Sequence, residues 1–428
     1  MKRRLLTIAL CLAAVAGCTP KSDIYINFED YNADDFIFKP VSKCVTDLSA
    51  GLPDNTTMPD GTSVNEFVKE TLSDTKANCT TVGNFLQGFL QWEERNKVIE
   101  ISGIYRSTDD YGSPATLSGK IVIPADKPIK RVILVSHYTI GSNAEAPSNC
   151  FPLEGQLAQL GYAVVCSDYL GYGVTNDRYH PYLLMEVCAH NVIDMYLAVR
   201  PFLKAINREP IHDDIYLMGY SQGGATTMAV EYMIERDYGP ESDNPIKINR
   251  VFAGGGIYDI KATFESYIET NHAGYPCGVP FVIVGQVKGN HIDNTLITRL
   301  IRPEVTKYTE DWFLKKTTAT GQMNEIIGTK KTDEILQEVA FDRTSDEITK
   351  LYQVMTLNSV LSLAWTPQAP VYMLHSIDDD TVPYENAARA RVRWDSANIQ
   401  YNFGHYGNHM LTCLRFIYTV KSIIENEE

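Results

Sequence analysis

The feature that most constrains the fold of this chain is one serine among closely spaced glycines, in the run Met218-Gly219-Tyr220-Ser221-Gln222-Gly223-Gly224. Residues 215–218 have the length and branching of a buried strand, and residues 225–233 are typical of a helix. A strand, a sharp turn and a helix in this order lift a serine hydroxyl out of a sheet, and the glycines permit close packing. We predict that Ser221 is a nucleophile and that the amide of Gln222 stabilises a negatively charged oxygen beside it. By itself the pattern leaves open a glycine-rich turn without chemistry.

A serine hydroxyl becomes reactive only when a base takes its proton and a third group orients that base. Three consecutive carboxylates, at residues 378–380, follow a predicted strand, and the carboxyl ends of strands are where ligands bind in open sheets. Two histidines, His405 and His409, follow the last predicted strand. We predict the order serine, acid, histidine, with Asp379 as the acid and His409 as the base; His405 is the alternative base.

Strand and helix patterns alternate from residue 131 onward, which is typical of a mostly parallel central sheet with helices on both faces. The alternation lapses between about residues 258 and 365, which we interpret as a helical cap insertion. A second oxyanion donor is expected just after the strand ending at Ser136, as the amide of Tyr138 or Thr139. Strands are predicted at 98–101, 117–124, 131–136, 163–167, 250–253, 370–375 and 399–403, and helices at 64–73, 81–92, 151–160, 186–206, 261–269, 294–301, 345–355, 384–392 and 411–424.

The first 17 residues are predicted to be a targeting segment. A basic start at residues 2–4 precedes an apolar run over residues 5–16 and the small-residue site Val15-Ala16-Gly17-Cys18, which resembles a bacterial lipoprotein signal. The resemblance implies cleavage before Cys18, lipidation of that cysteine and a body tethered at the cell envelope, at the outer membrane or cell surface. A plain secretory peptide is the alternative. Residues 18–95 are interpreted as an N-terminal extension and 96–428 as the main domain.

The net charge and the cysteine spacing limit the kinds of ligand and partner that this chain is expected to bind. The 428-residue chain has a formal net charge of −15, which argues against nucleic acid, because a phosphate-binding surface needs clustered Lys and Arg. No cysteine spacing is typical of a zinc site, and no later run is apolar enough to span a membrane, so the predicted anchor is lipid alone. If a disulfide forms, Cys44 and Cys79 are the favoured pair, and Cys166 is predicted to be a buried thiol.

Three blocks of the sequence resemble the secretory lipase family of α/β-hydrolases: Gly219-Tyr220-Ser221-Gln222-Gly223, Asp168-Tyr169-Leu170-Gly171-Tyr172-Gly173 with His180-Pro181-Tyr182, and Asp379-Asp380-Thr381-Val382-Pro383. The resemblance runs from about residue 105 to the C-terminus. It implies an α/β-hydrolase fold and a serine esterase or lipase that needs no metal or organic cofactor. It also favours Asp379, four residues before a proline, and His409, which precedes Thr412, and it implies a structural role for His180 and Pro181 beside the pocket.

Two other functions are compatible with parts of this pattern. A serine peptidase of the prolyl-oligopeptidase type uses the same three groups, but the region before residue 98 shows no blade repeats of a gating propeller. A surface-tethered binding lipoprotein with an inactive site is the alternative without catalysis, since a fold does not prove an activity. For the predicted esterase, the expected substrate is a small-molecule, lipid or glycan ester.

Overall fold

In the computed structural model, which describes residues 38–73 and 96–427, nine strands form one sheet in the order β1-β2-β3-β5-β4-β6-β7-β8-β9. The pairs among β1, β2, β3 and β5 are antiparallel, and the remaining pairs are parallel. The strands are Phe38–Asp47, Lys97–Thr108, Pro114–Pro124, Arg131–Ser136, Tyr162–Ser167, Ile215–Tyr220, Ile248–Gly254, Val371–Ser376 and Ile399–Gly404, numbered β1 to β9. The predicted mostly parallel sheet is confirmed.

Helices cover both faces of this sheet. Alternate residues of each strand point to opposite sides, so both faces carry apolar side chains that helices can bury. In β4, Val132 and Leu134 belong to one buried cluster, while Ile133 and Val135 belong to another. Burial on both faces explains why the central strands are apolar throughout. The α-helices, numbered α1 to α11, are Val64–Ser73, Met185–Ala205, Gln222–Asp237, Ile260–Thr270, Gly278–Gly289, Thr295–Leu300, Pro303–Thr306, Thr320–Ile327, Asp346–Asn358, Glu385–Arg393 and His409–Asn426.

Strand β1 lies in a region for which only helical segments were predicted, so that interpretation was incomplete. It pairs antiparallel with β2 over its whole length, with an irregularity between Pro40 and Ser42. The strand is at the edge of the sheet and nine of its ten residues are partly buried or exposed, so its sequence lacks a strong apolar alternation. Residues 38–47 of the N-terminal region are therefore part of the central sheet.

The helix predicted over 151–160 is present as a 3-10 helix over residues 153–160; Pro152 precedes its start and Gly161, at φ 99°, ends it. Helices α5, α7 and α8 had no counterpart in the prediction. Helix α5 was not predicted, because a nearly continuous apolar stretch with Pro280 and bounding glycines has no amphipathic period. It is buried nearly all round.

The helices between β7 and β8 pack around their own apolar cluster, which also includes Tyr182, Ala225 and Val382 from the sheet's carboxyl edge. Trp312 is buried and stacks on Tyr308, with ring centroids 4.9 Å apart. These aromatic side chains are thus packing residues of the predicted cap. The exact bounds of signal, extension and cap stay predictions.

Some predictions fall outside the described residues: the lipoprotein signal with Cys18, the helix at 81–92 and the partner Cys79. Within residues 38–73 and 96–427, none of the helices has the length and apolar character required to cross a membrane.

Candidate active site

Ser221 lies in the sharp turn between β6 and α3, where it has φ 58° and ψ −122° as the residue that precedes the helix. This left-handed conformation is strained for a residue with a side chain. The glycines around it are sterically required: a Cβ at Gly219 would lie 2.3 Å from the Gly223 carbonyl oxygen, and one at Gly223 would lie 2.0 Å from that of Ser136. The turn therefore packs directly against the end of β4.

The structure brings Ser221, His409 and Asp379 together. The Ser221 hydroxyl lies 2.9 Å from His409 Nε2, and His409 Nδ1 lies 2.7 Å from Asp379 Oδ2. All three side chains are buried. With Nδ1–H donating to the carboxylate, Nε2 is left to accept the serine proton, so this chain of hydrogen bonds can activate the hydroxyl. His409 is the first residue of α11, one residue past the loop in which the base was expected.

Asp379 is held as a charged group at the end of β8. Its Oδ1 accepts hydrogen bonds from the amides of Thr381 at 2.9 Å and Val382 at 2.8 Å. Burial alone would raise the pKa of this carboxyl, but His409, His375 and the Val382 amide outweigh it and keep the pKa below its ordinary value. A carboxylate that stays ionised is what orienting and supporting an imidazolium requires.

The alternative base, His405, lies at the surface. Its Nδ1 is 2.8 Å from Asp378 Oδ1, and the side chains of His405 and Asp378 are 74% and 48% exposed. The sequence offered two acid and histidine pairs, and only one of them reaches Ser221.

The two predicted oxyanion donors lie on either side of the packed contact between Gly223 and Ser136. Gln222 begins α3, whose first amides have no partner within the helix. Tyr138 follows β4 by two residues, and His137 Nδ1 donates to its carbonyl oxygen at 2.6 Å. Among the described residues, none of the amides of Gln222, Tyr138 and Thr139 donates to a backbone carbonyl outside a helix or strand. Thr139 therefore stays the alternative to Tyr138 as the second donor.

Three neighbours of the site had no predicted role. The Tyr220 hydroxyl donates to the His409 carbonyl oxygen at 2.8 Å, and its ring packs on the imidazole with centroids 4.9 Å apart. Asp380 Oδ1 accepts from the His409 amide at 3.2 Å. The buried His375 lies behind Asp379, with Nε2 3.8 Å from its Oδ2. Tyr220 and Asp380 stand in the quoted motifs, but a pattern does not show which atoms their side chains bind.

A model of the secretory lipase family matches residues 150–415, well over half of the chain. The chain belongs to the secretory lipase family. It is therefore a hydrolase of the lipase and esterase type, and membership of a secretory family indicates an extracellular or cell-envelope protein. No curated protein matches the chain.

Solved structures show the α/β-hydrolase fold of this secretory lipase. The rice cell wall degrading esterase LipA from Xanthomonas oryzae is 25% identical with a TM-score of 0.68, covering 80% of this chain and 94% of its own. A putative hydrolase from Legionella pneumophila has a TM-score of 0.67 at 15% identity, covering 91% of this chain and 96% of its own. The closed state of Candida antarctica lipase A has a TM-score of 0.58 at 17% identity, covering 77% of this chain and 78% of its own.

Residues 180–182 bind both the segment after the nucleophile and the segment after β4. His180 Nδ1 lies 2.8 Å from the Leu170 carbonyl oxygen, so that nitrogen carries the proton and Nε2 accepts from the Gln222 side-chain amide at 2.7 Å. Burial lowers the pKa of His180 to about 3, which keeps the imidazole neutral as this arrangement requires. Two residues later the Tyr182 hydroxyl bonds the Thr139 hydroxyl at 2.8 Å. The expected structural role of His180 is thus a link to the residue after the nucleophile.

The described residues contain no group of three or more His, Cys, Asp or Glu side chains arranged to hold a metal ion. The histidines around Ser221 bind carboxylates, carbonyl oxygens and an amide instead.

Proposed function

We propose that this secretory lipase hydrolyses carboxylic esters through an acyl-enzyme on Ser221, with His409 as general base and acid and Asp379 as its orienting carboxylate. One observation carries the proposal: the continuous hydrogen bonds from the Ser221 hydroxyl through His409 to Asp379, at 2.9 Å and 2.7 Å, on a serine held at φ 58°. An unreactive turn needs neither the strained serine nor a buried carboxylate that orients a histidine towards it.

In the first half of the reaction, Ser221 Oγ forms a bond to the ester carbonyl carbon and its proton passes to His409 Nε2. The carbonyl oxygen becomes an oxyanion, which the amides of Gln222 and Tyr138 stabilise. The bond from carbon to the alkoxy oxygen then breaks, and His409 gives its proton to the departing alcohol. The acyl group stays on Ser221 as an ester.

In the second half, water replaces the alcohol. His409 takes a proton as the water oxygen bonds to the acyl carbon, and the second oxyanion forms in the same place. The bond to Ser221 Oγ breaks, the serine regains its proton from His409, and the carboxylic acid leaves. Each half uses the same charge pattern, which Asp379 supports by remaining ionised.

The first experiment treats the purified protein with a fluorophosphonate and measures hydrolysis of nitrophenyl esters from acetate to laurate. A single phosphonyl adduct on Ser221, found by peptide mass spectrometry, together with turnover is the expected result. Ser221→Ala should lose the adduct and at least about 10⁴-fold in kcat, because the nucleophile is gone. Its melting temperature should stay close to that of the parent. A folded parent with neither adduct nor turnover would instead favour the binding lipoprotein.

The location of this activity belongs to the same proposal. The basic start, the apolar run and the Val15-Ala16-Gly17-Cys18 site support lipidation of Cys18 and a tether to the outer face of a membrane. Expression in a bacterium fed labelled palmitate tests this. The label should enter the protein and disappear in Cys18→Ser, and a labelled Cys18→Ser variant would contradict the tether.

A further inference from the structure

We propose that a loop of the N-terminal segment, residues 56–63, positions the oxyanion donor Tyr138, and that it acts through the Tyr138 hydroxyl. The inference rests on the proposed function, because Tyr138 matters to a reaction only if its amide faces the developing oxyanion. The loop lies outside the residues that match the family model.

The loop is a closed unit with its own hydrogen bonds. The Met58 amide donates to the Thr62 carbonyl oxygen at 2.8 Å, and the Val64 amide donates to that of Thr56 at 3.0 Å. Asp60 accepts from the Thr62 amide at 2.9 Å, and Met58 is fully buried. A loop that is folded on itself and anchored by a buried side chain can fix the position of what it binds.

One side of the loop holds the segment that follows β4. The Tyr138 hydroxyl donates to the Thr57 carbonyl oxygen at 2.5 Å, and the ring is 6% exposed in the same apolar cluster as Met58. His137 holds the carbonyl oxygen of the same residue. Tyr138 is thus held by its hydroxyl and by its carbonyl oxygen, both of which are attached through the Cα that also carries its amide nitrogen.

The other side of the loop holds the start of α8 in the predicted cap. The Pro59 carbonyl oxygen accepts from the Thr320 hydroxyl at 2.7 Å and from the Tyr275 hydroxyl at 3.0 Å. The Gly321 amide donates to the Asp60 carbonyl oxygen at 2.9 Å. The loop therefore joins the cap to the oxyanion segment, although it is about 80 residues before Tyr138 in the chain.

Contact continues between the cap and the oxyanion segment itself. A Cβ at Gly141 would lie 2.6 Å from the Thr318 carbonyl oxygen, and one at Gly61 would lie 2.6 Å from the Ala319 Cβ. The Asn143 amide also donates to the Lys316 carbonyl oxygen at 2.8 Å. With this close packing, removing one anchor should shift Tyr138 slightly without unfolding the region.

The test compares Tyr138→Phe with the parent and with Tyr401→Phe, a matched control. The Tyr401 hydroxyl donates to the Trp394 carbonyl oxygen at 2.8 Å and is no part of the site. The parent is assayed first: a parent that neither turns over an ester nor is phosphonylated refutes the proposed function, and with it this inference. An active parent allows the positioning role to be tested separately.

In an active parent we expect Tyr138→Phe to lower kcat about tenfold with KM within about twofold, less than the 10²- to 10³-fold of losing an oxyanion donor outright. Nitrophenyl thionoesters supply the decisive comparison, because sulfur is a poor hydrogen-bond acceptor and gains little from the oxyanion donors. The variant should lose rate on the oxygen ester and much less on the thionoester. Tyr401→Phe should retain the rates of the parent on both.

Equal losses on the two esters, or a kcat within twofold of the parent, would refute the positioning role. Should Tyr138→Phe fail to fold, Thr320→Val decides the matter, since it removes a donor to Pro59 on the cap side of the same loop. A severalfold loss confined to the oxygen ester supports the proposal, and unchanged kinetics on both esters overturns it.

Discussion

Asp379 and Asp378 are adjacent carboxylates in very different surroundings. Asp379 is buried and accepts from two amides and from His409, whereas Asp378 is half exposed and pairs with His405. Exposed pairs of this kind contribute little to stability, because water and salt screen them. The two positions therefore form a matched pair for substitution.

We predict that Asp379→Asn lowers kcat about 10⁴-fold, because an amide in place of the carboxylate favours the wrong imidazole tautomer and does not support its positive charge. Asp378→Asn should stay within about twofold of the parent, since it touches only a surface histidine. Steady-state kinetics on a nitrophenyl ester, beside the melting temperature of each variant, measures both. A larger loss at Asp378 than at Asp379 would reverse the assignment of the acid.

The three residues of the site could be predicted because their positions relative to the strands and helices determine where they lie. Ser221 follows a strand, Asp379 follows another, and His409 begins the last helix, so topology alone brings them to one edge of the sheet. The bonds of Tyr220 to His409 and of His180 to Gln222 join residues 189 and 42 positions apart. No periodicity or motif spacing reports such contacts, because they depend on side-chain direction.

The turn between β6 and α3 is packed so closely that its glycines leave no room for a side chain. At Gly223 an added Cβ would meet the Ser136 and His137 carbonyl oxygens at 2.0 and 2.9 Å, and backbone atoms cannot move aside cheaply. At Gly278, the first residue of α5, an added Cβ would meet nothing within 4 Å. Gly223 and Gly278 both lie in the first turn of an α-helix, but only at Gly223 would a side chain meet other atoms.

We predict that Gly223→Ala lowers the free energy of unfolding by about 1–3 kcal/mol or more and removes reactivity towards fluorophosphonate, because β4 and α3 must separate. Gly278→Ala should be neutral or stabilising by up to about 1 kcal/mol, since alanine is the better helix former. Urea unfolding followed by circular dichroism, with adduct formation on the folded samples, measures both. A stable and reactive Gly223→Ala would show that the packing of this turn is not essential.

The elements that were predicted and those that were not differ in how strongly burial shapes their sequences. Central strands such as β4 and β8 are buried on both faces, and their apolar runs stand out. The edge strand β1 is half exposed, so its residues are mixed. Helix α5 has the opposite property: it is buried on all sides, so it lacks the polar face that makes a helix recognisable.

Buried acids give the whole molecule a dependence on pH that is separate from its chemistry. Burial raises the pKa of Glu154 to about 7 from an ordinary value of 4.5, and its Oε1 has no hydrogen-bond partner. Burial likewise raises the pKa of Glu145 to about 7. Below pH 4.5 the folded and unfolded chains both hold these protons. As the pH rises towards 7 the unfolded chain releases them first, so the fold loses stability over that window.

We predict that Glu154→Gln removes the part of this pH-dependent loss of stability that Glu154 causes, because an amide does not titrate. For a single group whose pKa lies near 7 when folded and 4.5 when unfolded, the loss corresponds to about 3 kcal/mol between pH 4.5 and pH 8. The free energy of unfolding of Glu154→Gln should therefore fall less than that of the parent over this range. Urea unfolding at pH 4.5, 6 and 8 measures the difference.

The slope against pH is the appropriate measure, because the glutamine amide needs partners of its own and its absolute stability reflects that cost as well. Glu241→Gln, at an exposed position, removes a carboxyl that water surrounds in both states and should leave the slope of the parent unchanged. A Glu154→Gln slope equal to that of the parent would mean that the buried carboxyl is ionised in the fold. In that case a cation or ordered water must lie beside the Glu154 carboxylate, because an ionised carboxylate without a partner is too costly to bury.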